Sequence, residues 1–197
     1  MRTDASFVAS LERAVREAER GTAAELVVVV AARSGTYLDL AMACGAVASG
    51  LVLLVALFAR AVFPPVAVAF EVPAVFALAS WLAHRMPGLM RALASDARMR
   101  RQVERAAAWW FVEEAVHGTR ARTGVLLYVS RLEWRAAVVP DLGLTAAIPE
   151  GALRSPSWRT AEEVVAGIGA LGALLQERFP GAPSDVNELP DTPRIVS

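Results

Sequence analysis

Asp141 is the residue in this chain best placed to do chemistry. It follows the apolar run Trp134 to Val139, inside the loop Pro140-Asp141-Leu142-Gly143. Glycine there lets backbone approach a ligand, and a carboxylate could hold a hard divalent cation through its oxygens. The competing role is an Asx-type turn, in which the side chain accepts an N–H from its own loop; the sequence favours that role. Arg120 and Arg122 could grip an anion such as phosphate, because guanidinium binds oxyanions bidentately. Glu25, at the start of a valine run, is expected to pair with Arg120 or Arg122. Glu71 interrupts an otherwise apolar run, and an acid inside a membrane span is a candidate for transport or proton transfer. Its position favours instead reaching the outer interface or pairing with Arg60. The two histidines are His84 and His117, and His117 near a helix end suits the helix dipole.

Much chemistry is excluded. The lone Cys44 can form neither an intrachain disulfide nor a cysteine-rich zinc site. The sequence contains no phosphate-binding Gly-rich loop with Lys-Ser/Thr, no His-Glu-x-x-His, no Cys-x-x-Cys and no Gly-x-Ser-x-Gly. Twenty basic and twenty acidic residues cancel to a net charge of zero, so no basic field is available for nucleic acid.

The elements that must position these residues are organised around two apolar runs, Leu40 to Ala59 and Val66 to Ala83. The hydrophobic fraction is 55%, and these runs supply much of the excess. About 18 apolar residues suffice to cross the hydrocarbon core as a helix. The connection Arg60 to Pro65 ends in two prolines, which suit a turn. The reading is a transmembrane hairpin at 38–86. Ala46 and Gly50 are four apart, a spacing that lets helix backbones approach. Tyr37 at one end and Trp81, His84 and Arg85 at the other read as interfacial residues. Arginines cluster before the first run and after the second, while the connection carries only Arg60. The positive-inside rule then puts both termini in the cytoplasm of a multi-pass inner-membrane protein. The expected partners are the lipid bilayer and either a membrane protein or a second copy through the hairpin.

Around the hairpin lie soluble elements. Residues 6–20 repeat apolar positions with helical spacing, with Asp4 or Ser6 as cap and Gly21 as stop. Four consecutive valines in Glu25–Ala32 argue for a strand buried on both faces. A second helix is expected over 94–116 and a second buried strand over 123–130. A third strand follows at 134–139, antiparallel to the second because the connection Arg131-Leu132-Glu133 is short. Pro156 and Ser157 lead into a helix at about 160–179. Residues 180–197, with four prolines, read as a flexible tail. Neither side of the hairpin can bury its strands alone. The inference is one α/β domain, formed by 1–37 and 87–179, split by the hairpin.

Several stretches resemble the TPM domain family, of the YgcG-like and thylakoid-lumen type. They are Ala18 to Val28, Thr119 to Ser130, Leu132-Glu133, Val139 to Leu144, Trp158 and the Phe179-Pro180 helix end. The chain looks closest to the bacterial subgroup with a membrane hairpin inside the domain. The resemblance implies a small mixed sheet flanked by helices, and either a role in assembling membrane complexes or a phosphatase-like activity. The leading expectation is a membrane-anchored interaction or assembly module. The alternatives are a phosphatase-like hydrolase using Asp141, with or without a divalent cation, and a small oligomeric transport element centred on Glu71.

Overall fold

A computed structural model describes residues 5–59, 63–145, 158–181 and 188–196. Asp4, Arg60, Pro156, Ser157 and Pro183, named above, lie outside them. The chain divides into two compact units, Thr36–Arg98 and the sequence on either side of it.

The flanking unit is built on a four-stranded mixed sheet of order β3-β2-β1-β4. β1 (Glu25–Ala31) and β2 (Gly124–Ser130) run parallel and pair along all seven residues, from Glu25–Gly124 to Ala31–Ser130. β3 (Arg135–Pro140) is antiparallel to β2, as the short connection requires. The valine run explains the layering. Side chains alternate across a strand, so Leu26, Val28 and Val30 enter one core while Val27 and Val29 enter the other.

The first core is closed by α1 (Ala5–Glu19) and α7 (Ala161–Arg178). Phe7, Leu11 and Val15 meet Val164, Ile168, Leu171 and Leu175 over the sheet. α1 and α7 approach closely at Gly172, where an added Cβ would stand 2.6 Å from Ala18 Cα. Gly21, at φ +82°, ends α1 in the left-handed region that glycine enters without strain. α7 starts with a capping box: Thr160 Oγ accepts the Glu163 N–H, and the Glu163 carboxylate accepts that of Thr160. Ser6 lies inside the first turn of α1 and does not cap it from outside. The second core is closed by α5 (Asp96–Glu113), through Val103 and Ala107. α5 is shorter than expected: Ala115 turns left-handed at φ 50°, and a 3-10 turn, Val116–Gly118, carries His117.

The tail is a correction. Residues 194–196 form β4, parallel to the exit half of β1 at Val29–Ala31. The chain also bridges from Pro180 to Thr22. Prolines and polar residues exclude an independent core there, but an open strand edge supplies backbone partners to any extended segment that reaches it.

The hairpin unit contains α2 (Leu38–Phe58), α3 (Pro65–Arg85) and α4 (Pro87–Leu93). Leu40 lies within α2 and Ala59 closes it, while Val66 to Ala83 lie within α3. α2 and α3 are each long and apolar enough to cross a membrane. Only 17% and 6% of their apolar windows are buried, so most of their apolar surface is left uncovered by the rest of the chain. Their contact runs along Ala41, Gly45 and Ser49, not along Ala46 and Gly50. A Cβ at Gly45 would stand 2.6 Å from Phe76 O and closer still to Ser80 Oγ, whereas one at Gly50 meets nothing within 4 Å.

Candidate functional site

The entry end of the parallel strands holds Asp141. Its N–H donates to Gly124 O at 2.8 Å, fixing the end of β3 beside the start of β2. Its carboxylate is 2% exposed; one oxygen is hydrogen-bonded, and the other meets Arg122 by charge alone, accepting no hydrogen bond among the described residues. Oδ1 accepts the Leu142 N–H at 2.7 Å, and Oδ2 lies 2.9 Å from Arg122 Nε. Arg122 is held for this by a left-handed backbone, φ 56°, an uncommon conformation for a side chain of its size. Its carbonyl accepts the Gly143 N–H at 2.9 Å. A Cβ at Gly143 would come within 2.7 Å of the Ala121 and Arg122 carbonyls, so only glycine fits there.

This geometry fits the turn-forming role of Asp141. A divalent cation of the magnesium or calcium type takes about six or more oxygens. Here a guanidinium faces the carboxylate, and no group of three His, Cys, Asp or Glu suited to a metal occurs among the described residues. The arrangement does not fit a cation. Nor do the arginines converge on an anion. Arg120 is 92% exposed and lies 3.7 Å from Glu188, whose Oε2 also accepts the Arg120 N–H at 2.8 Å. Glu25 Oε2 accepts the Leu189 N–H at 3.4 Å. The partners of Arg120 and Arg122 just described are thus Glu188 and Asp141, where Glu25 was expected.

The exit end carries a polar cluster that sequence reasoning missed. Glu133, taken as a turn residue, is 3% exposed. Its carboxylate accepts the Ser34 N–H at 3.1 and 3.3 Å and the Ser130 hydroxyl. Ser34 Oγ in turn lies 3.2 Å from the Tyr128 hydroxyl. Burial pushes the Tyr128 phenol above its usual range. Parallel α/β sheets bind ligands at this end of their strands. Ser130 and Tyr128, however, are 0% and 1% exposed, so a substrate has no approach to either hydroxyl. The cluster works as a latch between the exit of β1 and the β2–β3 turn. That turn ends at Trp134, which is left-handed at φ 51°. Its carbonyl accepts the Trp158 N–H at 3.2 Å, and Arg159 stacks 5.1 Å over its ring.

The architecture has a solved counterpart. The chain is similar to the NMR structure of BA42 protein from the psychrophilic bacterium Bizionia argentinensis, with a TM-score of 0.56 over 98% of this chain and 94% of that one. Sequence identity is 16%, a level at which the likeness is one of fold. No protein-family model and no curated protein matches the sequence.

Glu19 was also missed. At the end of α1 it accepts the Leu26 N–H at 2.8 Å. Burial, with the charges of Asp191 and Glu25, pushes its carboxyl up to about 7, against the pull of that N–H. A glutamate just before the glycine stop of a helix gave no signal by itself, since its partners come from the next strand and the far tail.

In the hairpin unit, Glu71 is exposed in the second turn of α3. Trp81 is exposed with Arg85 5.1 Å over its ring. At the base of the unit Arg98 clasps Asp39 with two hydrogen bonds, of 2.6 and 2.7 Å, and stacks 5.2 Å over Tyr37. Such a bidentate pair is geometrically specific, and its spacing of 59 residues in sequence hid it from sequence reasoning.

Proposed function

We propose that this chain is a membrane-anchored, TPM-like α/β module that holds partners at the inner face of a membrane, with both termini in the cytoplasm. The observation that carries the reading is the pairing of β1 with β2. The two strands flank the hairpin in sequence, so a hairpin that crosses a bilayer twice must return its chain to the side it left. The exposed apolar surfaces of α2 and α3 support insertion. The commitment of Asp141 to Arg122 and Leu142, and the burial of Ser130 and Tyr128, favour a scaffold over a hydrolase.

The test pairs topology with activity. Reporter fusions at the two termini should both be active on the cytoplasmic side, and the protein should resist alkaline extraction from membranes. Purified protein should leave aryl phosphates unhydrolysed with magnesium, manganese or calcium. Termini in different compartments would overturn the anchor reading. Turnover lost in Asp141→Ala but kept in Asp141→Glu would replace the module with an enzyme.

A further inference from the structure

The side of α5 turned away from the sheet is unusual for a solvated helix. Met99, Val103 and Ala107 are buried on the inner side. On the outer side Arg101, Arg105 and Trp109 follow at four-residue spacing, which stacks them on one face. Val112 completes it. Trp109 is 56% and Val112 64% exposed. The indole of Trp109 rests edge-on against Trp110, with centroids 4.7 Å apart. The flanking acids are Glu104, 3.7 Å from Arg100, and Glu113. The side chains of Arg101 and Arg105 make no ion pair or hydrogen bond among the described residues.

Position along the chain matters as much as composition. Arg98, in the first turn of α5, clasps Asp39, in the first turn of α2. Arg98 thus lies beside the end of α2 where the chain enters the apolar segment. From Arg98 to Trp109 the helix rises about 16 Å. Arginines followed by an exposed tryptophan and a branched aliphatic are the composition of a segment lying among headgroups. The apolar part of the face is two side chains wide. A stable protein interface needs about 800 Å² from each partner, so this face suits lipid better than another protein.

We propose that the Arg101–Arg105–Trp109–Val112 face of α5 docks on anionic phospholipid headgroups and so holds the α/β unit against the bilayer. The proposal rests on the membrane-anchor reading. The arginines supply attraction to the negative leaflet, and Trp109 and Val112 reach the acyl boundary.

The test uses the full chain with Cys44→Ala and a nitroxide on a new cysteine at Val112, reconstituted in nanodiscs of phosphatidylcholine with a minority of phosphatidylglycerol. Matching labels at Leu54 in α2 and Glu162 in α7 serve as lipid and water references. The label at 112 should be relaxed more by oxygen than by an aqueous nickel chelate, approaching the Leu54 ratio. That bias should be lost in pure phosphatidylcholine and in Arg101→Glu/Arg105→Glu. A label at 112 that matches Glu162, with Leu54 still in lipid, overturns the docking and leaves the anchor intact. Water exposure at Leu54 overturns the anchor itself. A bias that survives both removals of charge, or spin–spin broadening from a second copy at 112, also overturns the proposal.

Discussion

Asp141 shows how one residue's surroundings choose between two chemistries. In sequence it was a candidate metal ligand or catalytic carboxylate; in the fold its oxygens serve the Leu142 amide and Arg122. Removing a partner from a buried polar group costs about 1–3 kcal/mol. Asp141→Ala should therefore lower stability by roughly that amount in denaturant titration of the reconstituted protein. Asp141→Asn keeps an acceptor for Leu142 and should lose less. Equal losses would mean that the turn bond contributes nothing. Glu19 gives a pH dependence with a definite sign. Its folded carboxyl sits near 7, above the ordinary 4.5, so folding favours the protonated form. The stability it contributes is complete below pH 4.5 and is lost as pH rises through about 7. Melting temperatures between pH 4.5 and 8 should fall for the wild type relative to Glu19→Gln, which cannot ionise. Parallel curves would remove Glu19 as the cause.

Elements with a strong period were legible. The valine strand, the pairing sense of β2 and β3, and the amphipathic helices at both ends follow from spacing alone, because local pattern decides which face is buried. What stayed hidden depends on distant partners. Glu133 reads as a turn acid until Ser34 arrives from 99 residues away. β4 is three residues long and becomes a strand only where β1 offers an edge. The hairpin was legible as a pair of long apolar helices, but the contact stripe on α2 lies one position earlier than the sequence suggests. Alanine and glycine occur on several faces of that helix, and only packing distinguishes them. Gly45→Val should disrupt the helix pair, read as increased protease sensitivity in membranes, whereas Gly50→Val should be silent. The reverse result would put the interface back at Ala46 and Gly50. In α7, Thr160→Ala removes the hydroxyl half of the capping box and should cost about 1 kcal/mol, measured by denaturant titration. A loss well below that would leave the start of α7 held by the packing of Trp158 over Gly167.

At the scale of the molecule, the fold joins segments that the sequence keeps far apart. Truncation after Pro190 removes β4 and opens the outer edge of β1 at Val29–Ala31. Backbone amides of those residues should exchange hydrogen faster in the truncated protein, while the β1–β2 pairing should stay protected. Unchanged exchange would mean that β4 adds nothing to the sheet. The parallel pairing of β1 with β2 also sets an order of events during synthesis. About 90 residues, including both apolar helices, leave the ribosome between the last residue of β1 and the first of β2. The valine strand must therefore wait, with neither neighbour, until the hairpin has been made. If the hairpin inserts as proposed, a nascent chain halted before Gly124 would hold an unfolded apolar leader beside the bilayer, a ready target for chaperones and membrane proteases. Burial of the valine strand is thus tied to finishing the second half of the chain rather than to making the hairpin.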